Sequence, residues 1–127
     1  MSQSSMAAVG TQVRQGYATD STVVTDAAEV QAILDTINDA DCRAILDVTG
    51  NEVLSTKEIS ELCDIPLSTT YRKLDCLTDV GLLEETISIR RTGKHTSEYY
   101  TRVADVTMSV NATDGLSVTI SYSAPPN

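Results

Sequence analysis

The chain has 127 residues, 41% of them hydrophobic, and its 18 acidic side chains outnumber nine cationic ones to give a formal net charge of -9. That length suits one domain with a modest core plus some tail. No apolar run approaches the roughly 18 residues of a membrane helix. No basic-then-apolar leader follows Met1, and Ser2 stands where a myristoylated start needs glycine. The expectation is a cytoplasmic protein with no membrane partner. Acidity of this size opposes nucleic-acid binding, so the placement of the charge matters more than its sum.

Residues 1–25 are rich in Ser, Thr, Gln, Ala and Gly without a sustained period, which predicts a flexible arm in which Val23-Val24 is the one candidate tether to the body. Asp26, with Glu29 three residues on, reads as the N-cap of a first helix carrying Val30, Ile33, Leu34 and Ile37 as one stripe. Asn38-Asp39 breaks it. A second helix from Asp39 turns Cys42, Ile45, Leu46 and Thr49 inward and stops at Gly50-Asn51. Ser55-Thr56-Lys57-Glu58 is a capping box opening a third helix with Ile59, Leu62 and Cys63 inside. A tight turn through Asp64 leads to Pro66 and a fourth helix, whose inner residues are Leu67, Thr70, Leu74 and Leu77. Gly81 ends it as a left-handed cap.

From Leu83 the period changes to two, with Ile87 and Ile89 opposed to Thr86, Ser88 and Arg90. Thr92-Gly93-Lys94-His95 makes the turn, and the return strand to Val103 carries Tyr99 and Tyr100. A second hairpin alternates Val106, Met108 and Val110 with hydroxyls, turns at 111–115, and alternates Leu116, Val118, Ile120 and Tyr122 with Ser117, Thr119 and Ser121. Its apolar face needs a cover, because an isolated hairpin is marginal in water. The predicted fold class is α+β: a winged helix-turn-helix over 26–103, with four helices and a β-hairpin wing. A C-terminal β-hairpin over 104–123 then packs on the first helix or on a dimer partner, and 124–127 is a tail.

The outward face of the fourth helix carries Ser68, Thr69, Arg72 and Lys73. In a helix-turn-helix the second helix enters the major groove with its N-terminal residues at the base edges. Ser68, Thr69 and Arg72 are placed for that, and Arg72 can grip a guanine edge with two hydrogen bonds or clamp a phosphate. Lys73 is assigned to a phosphate. Tyr71 either joins this face or packs against the second helix with its hydroxyl outward. On the wing, Arg90, Arg91, Lys94 and His95 surround one glycine and can follow the backbone or enter a narrow minor groove. Between Pro66 and Val103 six cations meet five acids, a local +1, which leaves -10 for the remainder. The acid lies away from the proposed binding face.

Cys42, Cys63 and Cys76 form no zinc-like close pair and read as small buried apolar residues. No cofactor or metal is expected. No Ser/His/Asp set or phosphate-cradling glycine loop suggests an enzyme.

The runs 39–46 (DADCRAIL), 54–64 (LSTKEISELCD), 68–75 (STTYRKLD) and 80–84 (VGLLE), closed by Tyr99-Tyr100, together resemble ArsR-like winged helix-turn-helix regulators. The chain looks most similar to small haloarchaeal members with a strand hairpin after the wing. The resemblance spans about 27–123 and implies a DNA-binding regulator. The Cys-x-Cys of founding metalloid sensors falls here on Ser55 and Lys57, so that sensor is missing. Thr70 stands where Val or Ile is usual, and Pro66 at a usual N-cap Ser.

Three Lys, no Phe and no Trp beside abundant Asp, Glu, Thr and Val suggest a halophile's acidic surface. Near-molar salt removes most of the counterion-release contribution to DNA affinity. Base contacts, shape and dimerisation must then supply more of it. The expected function is a sequence-specific regulator of transcription binding double-stranded DNA, a homodimer reading an inverted repeat, with no identifiable small-molecule effector. The alternative is a winged-helix interaction module of the transcription machinery that does not itself bind DNA.

Overall fold

A computed structural model describes residues 20–89, 91–113 and 115–124. Strand β1 (Ser21–Val24) precedes α1 (Ala27–Asn38) and α2 (Ala40–Val48); a two-residue β2 (Leu54–Ser55) leads into α3 (Thr56–Cys63) and α4 (Leu67–Asp79). β3 (Leu83–Ile89) and β4 (His95–Thr101) form the wing, and β5 (Val103–Asn111) with β6 (Gly115–Tyr122) the terminal hairpin. The architecture is the expected winged helix-turn-helix of α+β class.

The helices start where capping chemistry dictates. Asp26 accepts the Glu29 N–H at 3.1 Å, and Asp39 accepts that of Cys42 at 2.9 Å. Ser55 and Glu58 exchange both bonds of a capping box, at 3.2 and 2.9 Å. Each cap satisfies donors that the first turn leaves without partners. The core runs through Val30 and Ile33 of α1, Cys42 and Ile45 of α2, Ile59 of α3 and Leu74 and Leu77 of α4, then Leu82, Leu83 and Tyr99 of the wing base. A buried hydroxyl pair fixes the wing to α2. The Thr49 hydroxyl donates to the Ile45 carbonyl at 2.7 Å and accepts from the Thr101 hydroxyl at 2.8 Å, and the Thr101 oxygen also lies 2.9 Å from the Leu46 carbonyl, the other acceptor within reach of its one proton.

The strands make two three-stranded antiparallel sheets, ordered β2-β4-β3 and β1-β6-β5. In the second, Val118 and Ile120 of β6 are buried, and β6 lies against α1. The predicted arm over 1–25 needs correction at its end. Ser21–Val24 pairs with Ser121–Val118 of β6, so these residues contribute ladder hydrogen bonds and Val24 packs on the core. The rest of that arm, residues 1–19, lies outside the described residues, as do Arg90, Asp114 and 125–127 of the tail.

Three side chains expected inside are not. Leu62 is 61% exposed, because buried Thr56 and Ile59 with half-buried Cys63 set the inner face of α3 and Leu62 lies about 90° off it. Leu67 is 46% exposed at the first turn of α4. Cys76 is exposed too, one residue and so about 100° from buried Leu77.

Asp39 joins two elements. Besides capping α2, it accepts Lys73 Nζ of α4 at 3.0 Å. Burial pushes its carboxyl up, but the Lys73 hydrogen bond, the Cys42 N–H and the Lys73 charge outweigh that and hold it below the ordinary 3.8. Lys73 is correspondingly raised, first by the same hydrogen bond. A lowered carboxylate stabilises the fold above its unfolded pKa and loses that contribution as pH falls through the folded value. Asp39→Ala should cost about 1–2 kcal/mol at pH 7, mostly the cap. Asp39→Asn, which keeps an acceptor, should cost under about 1 kcal/mol. In thermal melts the Asp39→Asn deficit should shrink as pH drops below about 4.

Candidate nucleic-acid interface

The turn before α4 is built to present its first two turns. Asp64 takes a left-handed conformation at φ 55, which reverses the chain within one residue after α3. Pro66 occupies the N-cap and supplies no side-chain bond. Its fixed φ still suits a helix start. Thr70 is fully buried, and its hydroxyl donates to the Pro66 carbonyl at 3.0 Å, so the polar atom that departs from the usual Val or Ile is satisfied. At the far end Gly81, at φ 83, closes the helix.

With Thr70, Leu74 and Leu77 buried, Ser68 and Arg72 face away from the core and Thr69 is partly exposed beside them. Arg72 has one weak tie, to the Thr69 hydroxyl at 3.5 Å, and can swing to a ligand. Asp75 and Asp79, also exposed, continue the same face at helical spacing, which corrects the expectation that the acid lies away from it. Only the first half of α4 can therefore approach phosphates without bringing carboxylates along.

Lys73, assigned from the sequence to a phosphate, has a partner within the chain. It is engaged by Asp39 and partly buried, and it orients α4 on α2. Tyr71 is 53% exposed. It lines a groove of about 430 Å³ with Ser55, Thr56 and Lys57 of the α3 start and His95, Thr96, Ser97 and Tyr99 of β4. Burial holds the Tyr99 phenol above its ordinary pKa, so it faces the groove neutral. The groove separates α4 from the wing, and its rim carries hydroxyls, an ammonium and an imidazole, groups that can contact a sugar-phosphate backbone.

Arg91 and Lys94 are exposed on the wing turn, where Gly93 at φ 85 permits the reversal, and His95 is exposed across the ladder from Ile89. Arg90 lies outside the described residues. Arg102 faces elsewhere, 3.8 Å from Glu84 and stacked 5.7 Å from the Tyr122 ring centroid.

Two residues escaped the sequence reading. Lys57 stands exposed in the first turn of α3, beside Tyr71 on the groove; the capping box at Ser55 signalled its place at a helix start. Leu67, exposed at the first turn of α4, offers an apolar surface beside Ser68, and its helical spacing from Leu74 concealed this.

Two of the thiols, Cys42 and Cys63, sit where the thiolate is disfavoured. Burial, followed by the neighbouring Asp39, pushes Cys42 up to about 12, and burial raises Cys63. Among the described residues no group of three or more His, Cys, Asp or Glu side chains is arranged to hold a metal ion, and no helix is long and apolar enough to cross a membrane.

A family described as a helix-turn-helix domain matches residues 38–86, from the end of α1 into β3. No curated protein matches the chain. Among solved structures the chain is similar to a homodimeric winged helix-turn-helix DNA-binding domain from Mycobacterium bovis, described as a possible ArsR-family transcriptional regulator. The TM-score is 0.49 at 19% identity, over 58% of this chain and 64% of that one. It thus spans less than two thirds of that structure's length. It is also similar to a possible transcriptional regulator from Methanosarcina mazei Go1, with a TM-score of 0.48 at 15% identity over 65% of this chain and 76% of that one.

Proposed function

We propose that the protein is a regulator of transcription that binds double-stranded DNA in a sequence-dependent way, as a homodimer on an inverted repeat. The observation that carries this reading is the exposed first half of α4. Ser68, Thr69 and Arg72 stand free of the core on a helix held rigidly by Thr70, Leu74 and Leu77, within a matched helix-turn-helix segment.

In the proposed complex this half of α4 enters the major groove, with Arg72 on a guanine edge and Ser68 and Thr69 beside it. Lys57 and the Tyr71 hydroxyl hold the phosphates that cross the groove between α3 and β4, and Arg91, Lys94 and His95 follow the backbone from the wing. Lys73 acts indirectly, by fixing the angle of α4 through Asp39. Asp75 and Asp79 set the depth limit. A duplex that slid toward the C-terminal half of α4 would meet two carboxylates, so they align the helix as well as exclude.

Selection of duplexes from a randomised pool tests this. Two half-sites with centres about 34 Å apart, roughly one helical turn, should be enriched. A pool that emerges with no preferred sequence would end the reading. Binding that survives Arg72→Ala with Arg91→Ala unchanged would remove the proposed face.

A further inference from the structure

Leu67 is the first residue of α4 and is 46% exposed. A leucine at the surface of a folded domain is ordinary in itself; its place on the helix is what matters. Helical side chains lean toward the N-terminal end of their helix, so Leu67 reaches over the leading end of α4, ahead of Ser68. In the proposed complex that end is set against the base edges, and an aliphatic side chain there has no hydrogen bond to offer.

Neighbouring contacts fix where Leu67 lies across the helix. At about 100° per residue, Leu67 and Tyr71 share one flank, Ser68 and Arg72 the middle of the outward face, and Thr69 and Lys73 the other flank. Tyr71 lines the groove toward β4, and Lys73 is held by Asp39 at the start of α2. The apolar flank is therefore the wing side of α4, and the cationic flank is the α2 side.

The chemistry of the major groove narrows what can lie under Leu67. All four bases present hydrogen-bonding atoms on that edge, and thymine alone adds a methyl group. Covering an acceptor or an amino group with leucine strips it of water without a replacement bond. Covering the thymine methyl removes apolar surface of both partners from water. One contact thus favours thymine and disfavours the other bases.

We propose that Leu67 reads a thymine methyl group, on the wing side of the bases met by Ser68 and Arg72. The inference rests on the reading of α4 as a major-groove helix and names one further base that it selects. Leu67→Met keeps an apolar side chain of similar volume and so keeps the preference, whereas Leu67→Ala withdraws the contact.

Duplexes selected from the randomised pool by wild type supply the test. Each thymine of a half-site is replaced in turn by deoxyuridine, which removes the methyl and leaves every hydrogen-bonding atom in place. At one thymine per half-site wild type should lose about fourfold in affinity, the contribution of one buried methyl group. Leu67→Ala should bind the thymine and uracil duplexes equally at that position, and Leu67→Met should restore the difference. Because Leu67 is half exposed, the Leu67→Ala melting temperature should stay close to that of wild type. A selected half-site without thymine, a wild type indifferent to each methyl, or a Leu67→Ala protein that keeps the fourfold loss overturns the inference and leaves the reading of α4 intact. A pool that yields no preferred sequence overturns both.

Discussion

Arg72→Ala is expected to weaken binding to a selected operator fragment by about 5- to 150-fold per half-site, the loss of about 1–3 kcal/mol that a bidentate base contact carries. The side chain is exposed and held only by Thr69 at 3.5 Å, so its removal should leave the melting temperature within the small range typical of surface changes. Titration against single-base variants separates two roles. A base-reading Arg72 makes the loss sequence-dependent and relaxes choice at one base pair per half-site. A phosphate-bound Arg72 weakens all duplexes alike and lowers the slope of log K against log salt by about one. Loss of affinity without loss of discrimination would therefore move Arg72 from reader to clamp.

Leu77→Ala is expected to destabilise the fold by about 2–5 kcal/mol. Leu77 is fully buried, and its carbonyl accepts the Leu82 N–H at 3.0 Å across the turn that leaves α4. Truncation opens a void where α4 meets the wing base, and the closed turn resists collapse into it. Domains of this size are stable by about 5–15 kcal/mol in total, so the loss is a large fraction. A urea titration should show a lower midpoint at an unchanged slope. A shift worth under about 1 kcal/mol would mean that the contact between α4 and the wing is not part of the core.

The fold was legible because its signals are local. Asp26, Asp39 and the Ser55–Glu58 box mark helix starts by hydrogen-bonding rules that need no tertiary context, and Gly81 and Gly93 mark reversals in the same way. The errors arose where tertiary packing decides. Leu62 and Leu67 fit an apolar period, but short helices bury a stripe narrower than the period allows. Ser21–Val24 carries too little pattern for a strand; its ladder with β6 links residues about a hundred positions apart. At the candidate site, Ser68, Thr69 and Arg72 follow from helical spacing once Leu74 and Leu77 are placed inside. The ion pair of Lys73 was not legible because its partner Asp39 caps another helix, 34 residues away. Lys57 was missed because α3 adjoins the wing only in three dimensions.

Between the wing and the terminal hairpin stands one residue, Arg102. Its N–H bonds the Leu82 carbonyl at 3.2 Å, and its own carbonyl accepts the Ser123 N–H at 2.8 Å. Strands on both sides are thus riveted to the exit of α4, with Thr101 anchored in α2 immediately before. A joint so short has no slack. A tilt imposed on the terminal sheet must reach the wing tip as a lever's far end follows its near one, so the spacing between paired wings would be set by the hairpin's seating rather than by the duplex.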